Sequence, residues 1–64
     1  MITVNGKNIE VKNLLLSELL LQMDLGNQLC AVEVNKILVP HRERDSYKLQ
    51  EGDTVEIVTL VGGG

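Results

Sequence analysis

The chain is 64 residues long, enough for one small domain, and it has no disulfide pair and little aromatic content, with one Cys, one Tyr, no Trp and no Phe. A single His and a single Cys leave a structural zinc site without ligands, so aliphatic packing has to hold the fold together. Six basic against nine acidic residues, a net charge of −3, argue against a phosphate-backbone binder and are compatible with docking onto a basic protein surface.

Ile2 and Val4 alternate with Thr3 and Asn5, the period of a strand. Asn5-Gly6 follows, a turn dipeptide in which both residues tolerate positive φ. Ile9 and Val11 then share a face on a return strand over 8–11, so a hairpin opens the chain. Asn13 is placed to cap a helix, and LLLSELLLQM, 14–23, supplies it. Leu16, Leu19, Leu20 and Met23 fall at i, i+3, i+4 and i+7, while Leu14, Leu15 and Leu21 widen the apolar stripe. Gly26 stands near the expected C-cap.

CAVEVN, 30–35, alternates again, with Val32 and Val34 on one face and Ala31, Glu33 and Asn35 on the other. Asn35-Lys36 reads as a turn into a short strand over 37–39, stopped by Pro40, which has no N–H for a ladder. HRERDS reads as a charged surface loop or short 3₁₀ turn, with Arg42, Glu43, Arg44 and Asp45 a mixed solvated surface and His41 a solvated side chain. Cys30 reads as a small buried hydrophobe, and Tyr47 and Leu49 as apolar anchors. A turn at Glu51-Gly52-Asp53 leads to the last strand, 54–60, with Val55 and Ile57 on the core side and Val58 and Leu60 on the opposite face. The expected architecture is α+β: a mixed four- to five-stranded sheet with one helix packed across one face, its last strand central beside the first. Residues 1–60 form the domain and 61–64 a flexible glycine tail. Val58, Leu60 and Val61 form an apolar spot beside that tail and are candidates for partner docking. Gly62, Gly63 and Gly64 lack Cβ atoms, so the tail is thin enough to thread a narrow channel. There is no nucleophile–base–orienter set to propose, no basic start followed by an apolar run as in a signal peptide, and no apolar run long enough for a bilayer. A cytoplasmic location is expected.

The ITVNGK hairpin, the leucine-rich helix, AVEVNKILVP and EGDTVEIVTLVGGG with its terminal Gly-Gly together resemble the ThiS family of thiamine-biosynthesis sulfur carriers, over essentially the whole length. That resemblance implies the ubiquitin-like β-grasp fold and a protein co-substrate rather than an enzyme. It implies that the Gly64 carboxylate is adenylated by an E1-like enzyme (ThiF) using ATP. Sulfur drawn from cysteine by a desulfurase then replaces AMP, and the thiocarboxylate serves thiazole synthase (ThiG). It implies that Gly62 and Gly63 thread into partner active sites. No cofactor or metal is expected on the carrier, nor nucleic acid or membrane as a partner, and the chain alone is expected to be a monomer. The small subunit of molybdopterin synthase shares this chemistry, but its final glycines tend to follow prolines, and here no proline follows Pro40. A regulatory or RNA-associated β-grasp module, or a ubiquitin-like modifier attached to lysines, would also suit parts of this pattern.

Overall fold

A computed structural model of the chain describes residues 1–11, 13–26 and 29–59. Strands β1 (Ile2–Val4) and β2 (Lys7–Ile9) form the opening hairpin, with Ile2 opposite Ile9 and Val4 opposite Lys7. Asn5 and Gly6 have φ of 48° and 87°, the doubly positive turn whose twist matches two right-twisted strands. The return strand stops at Ile9; Val11 lies beyond it, half-buried against the core.

Helix α1 (Leu16–Gln22) starts later than the apolar run suggests. Asn13 does not cap it: Asn13 has φ 52°, and the half-helical residue at the start is Leu15. A leucine side chain has no acceptor, so the first amides find partners elsewhere. Leu15 N–H donates to Glu18 Oε1 (2.9 Å), Leu16 N–H to the Tyr47 carbonyl (2.8 Å) and Ser17 N–H to the Arg44 carbonyl (3.1 Å). At the other end the left-handed residue is Asp24 (φ 61°), not Gly26. Leu25 N–H reaches back to the Leu20 carbonyl (2.8 Å) and Asp24 N–H to that of Leu21 (3.1 Å), a Schellman closure. Leu16, Leu19 and Leu20 are buried and Met23 is half-buried, as the spacing predicts. Leu21, expected in the stripe, is 66% exposed, because the seven-residue helix presents only one narrow face to the sheet.

Strand β3 (Cys30–Val34) turns through Asn35 and Lys36, again with positive φ at both, into β4 (Ile37–Leu38). Pro40 then opens a 3₁₀ turn over His41–Glu43. Strand β5 (Thr54–Thr59) completes the sheet, in the order β2-β1-β5-β3-β4. As expected, the last strand is central: parallel to β1 (Val4 opposite Val55) and antiparallel to β3 (Val32 opposite Ile57). The core lies between the sheet and α1. Ile2, Val4, Val32, Val34, Val55 and Ile57 supply the sheet side and Leu16, Leu19 and Leu20 the helix side, closed by Val39 and Leu49. Tyr47 and Cys30 are partly buried at its margin.

Candidate functional site

The open face of the sheet follows from the register. Residues directly opposite share a face, so Ala31 and Val58 lie together on the side away from α1, followed by Glu33 and Glu56, with Leu38 next to Glu33 on β4. Val58 is 59% exposed and Leu38 60%. Val58 thus emerges where the alternation of the last strand places it, with Ala31 beside it. Leu60, Val61, Gly62, Gly63 and Gly64 lie outside the described residues, as does the expected tail 61–64. Thr59, opposite Cys30, is the last described position before them.

The end of the sheet next to Thr59 has a feature the sequence hides. Arg44 stands in the charged run HRERDS, yet it is 7% exposed. The expectation of a wholly solvated surface over 42–45 is therefore wrong at Arg44, although Arg42, Glu43 and Asp45 are exposed as expected. The reason lies in the sheet edge. Val39 N–H donates to the Val32 carbonyl (2.9 Å), but β4 and its extension end at Pro40, so the outward carbonyl of Cys30 has no strand opposite it. Arg44 Nη2 donates to that carbonyl at 2.7 Å. Its Nη1 lies 3.3 Å from His41 Nδ1 and 3.7 Å from Cys30 Sγ. Arginine has no acceptor, so the contact to His41 uses a lone pair on Nδ1. Nothing local in the run marks Arg44 apart from Arg42; the Cys30 carbonyl, 14 residues away, selects it.

One cleft is lined by Ser17, Leu20, Leu21, Gly26, His41, Arg44 and Asp45. It brings together a hydroxyl, an imidazole and a carboxylate, but no hydrogen bond links Ser17, His41 and Asp45, and His41 Nδ1 faces Arg44 instead. Among the described residues no three His, Cys, Asp or Glu side chains converge as a metal site, and no helix is long and apolar enough to cross a membrane.

A five-stranded mixed sheet with parallel β1 and β5 at its middle and one helix across a single face is the ubiquitin-like β-grasp arrangement. A crystal structure of a thiamine biosynthesis protein (ThiS) from Geobacter metallireducens superposes with a TM-score of 0.80 at 31% identity, covering 98% of this chain and 97% of that one. The sequence model of the ThiS family matches residues 2–64, and the chain belongs to that family. Among curated relatives, the sulfur carrier protein ThiS of Bacillus subtilis is 33% identical over 66 residues, covering all of both chains. The uncharacterised ycf40 protein of Porphyra purpurea is 36% identical over 64 residues, covering 98% of this chain and 90% of the relative.

Proposed function

We propose that this chain is a sulfur carrier whose working group is the α-carboxyl carbon of Gly64, and that it acts as a protein co-substrate. Membership of the ThiS family across residues 2–64 is the observation that carries the reading. A free carboxylate repels nucleophiles and has no good leaving group. In the proposed cycle one Gly64 carboxylate oxygen attacks the α-phosphorus of ATP held by an E1-like activating enzyme, pyrophosphate leaves, and an acyl-adenylate forms. A partner draws sulfur from cysteine as an enzyme persulfide, a thiol reductant releases it as sulfide while two thiols are oxidised to a disulfide, and that sulfide attacks the carbonyl carbon. AMP leaves with the bridging oxygen, and a thiocarboxylate remains. Thiazole synthase is the proposed acceptor of that sulfur in thiamine biosynthesis, after which water restores the carboxylate.

The carrier's own residues have three duties in this scheme. Gly64 presents the reacting carbon. Gly62 and Gly63 form a side-chain-free approach that fits a narrow partner channel. Val58, Leu60 and Val61, with Ala31 and Leu38 added from the register, offer the apolar contact for docking. The cytoplasm, where ATP is supplied, is the proposed compartment.

Intact-mass spectrometry tests the central step. After incubation with the activating enzyme, ATP and a sulfur donor, the chain should gain the mass difference between sulfur and oxygen, and the gain should vanish when Gly64 is deleted. An unchanged mass under conditions that load the Bacillus subtilis relative would refute the reading.

A further inference from the structure

Of the asparagines in the chain, only Asn5 is followed by glycine. That dipeptide is chemically labile. The backbone nitrogen of the second residue attacks the side-chain carboxamide carbon of the first, and glycine has no side chain to hinder the approach. In the folded chain the carboxamide is occupied elsewhere. Asn5 Oδ1 accepts from Ile57 N–H at 2.8 Å and Nδ2 donates to the Ile57 carbonyl at 3.2 Å, so both ends of the group are fastened to β5. Swinging Cγ onto the Gly6 nitrogen means breaking both bonds and lifting the side chain off β5. The backbone pairing of β1 with β5 covers Thr3–Thr54 and Val4–Val55, so Asn5 stands at its end, where local opening costs least.

We propose that Asn5 is a fold-gated modification site, kept as an amide while the hairpin is docked on β5 and lost by cyclisation, with water as co-reactant, when that contact opens. In the open state the Gly6 nitrogen bonds to Asn5 Cγ and gives up its proton. The Cγ–Nδ2 bond breaks, ammonia leaves, and a cyclic imide remains. Water then adds to one imide carbonyl and the C–N bond at that carbonyl breaks. Opening at Cγ gives aspartate, and opening at the backbone carbonyl gives isoaspartate; no oxidant or reductant takes part. Neither product restores the lock. Aspartate lacks the donor for the Ile57 carbonyl. Isoaspartate routes the main chain through Cβ and lengthens a turn whose two residues fix the hairpin register. A transient opening thus becomes permanent, and chains that have opened are marked.

The test follows peptide 1–7, released by trypsin at Lys7, in which Asn5 is the sole asparagine. Full-length chain is incubated near neutral pH and body temperature, in buffer and in urea above its unfolding midpoint, beside a synthetic peptide of residues 1–7 in both solvents. Conversion is read as the mass difference between hydroxyl and amide, together with isoaspartate. The unfolded chain should convert as fast as the peptide, and the folded chain at least about tenfold more slowly. In urea below the midpoint, conversion should accelerate in step with hydrogen exchange at the Ile57 amide, which donates to Asn5 Oδ1. Equal rates for folded chain and peptide overturn the proposal, as does a peptide that does not convert. Conversion that accelerates while Ile57 keeps its protection overturns it too. None of these readouts depends on the chemistry proposed for Gly64.

Discussion

At Asn5 one side chain continues a ladder that the backbone has abandoned. Its Oδ1 accepts from Ile57 N–H at 2.8 Å and its Nδ2 donates to the Ile57 carbonyl at 3.2 Å. The residue itself is held at φ 48° in the hairpin turn, so β1 turns away from β5 just where the amide takes over. Asparagine suits both tasks, since it tolerates the left-handed region and offers a donor and an acceptor together. Asn5→Asp therefore discriminates. The shape and the turn preference survive, but a carboxylate oxygen would face the Ile57 carbonyl where a donor stood. The loss should be about 1–3 kcal/mol, read as a shift in the urea midpoint with unchanged slope. The turn at Asn5-Gly6 was legible in the sequence because positive φ is a local property of those residue types. The bonds to Ile57, 52 residues away, were not, because nothing local announces which strand will lie alongside. Arg44 escaped for the same reason: its burial depends on the carbonyl of Cys30, 14 residues away in sequence. Asn13 and Gly26 misled in the opposite sense. Both are good cap residues, but tertiary partners (the Tyr47 and Arg44 carbonyls, and Leu25 packing behind Asp24) settled where the helix begins and ends.

At the scale of elements, α1 is seven residues long, well below the length at which a helix holds together alone in water. Its stability is tertiary, and the leucine block divides accordingly. Leu19 is 1% exposed under the sheet, whereas Leu21, two positions on, faces solvent. Leu19→Ala should cost about 2–5 kcal/mol through lost burial and the cavity left behind. Leu21→Ala should stay within about 0.5 kcal/mol of wild type. A chain this size has only about 3–10 kcal/mol in all, so the first variant should be largely unfolded near body temperature by circular dichroism while the second keeps a normal melting curve. The alternation of the strands was fully legible, since period 2 with one buried face dictates which valines point inward. The central place of β5 was legible too: its apolar side chains on both faces suit a strand flanked on both edges. The helix boundaries were less so, because an unbroken run of leucines satisfies more than one register of a short helix.

At the scale of the whole molecule, the sheet separates two duties. One face carries the packing against α1. The other carries Val58, Ala31 and Leu38 together with Glu33 and Glu56, which lie directly opposite one another. Like charges across a strand pair oppose folding slightly, and nothing in the core requires either glutamate. The open face is accordingly free to change without disturbing what holds the chain together. Val58→Glu makes the separation measurable. Val58 is exposed and outside the buried cluster, so the substitution should move stability by no more than about 0.5–1 kcal/mol, the larger part from crowding a third carboxylate beside Glu56. The same change places a charge at the centre of the proposed docking contact, where desolvating it without a partner is costly. Loading of Gly64 by the activating enzyme should then show a KM raised at least about tenfold with kcat preserved. A Val58→Glu chain that melts normally and loads with wild-type KM would place the docking contact elsewhere on the molecule.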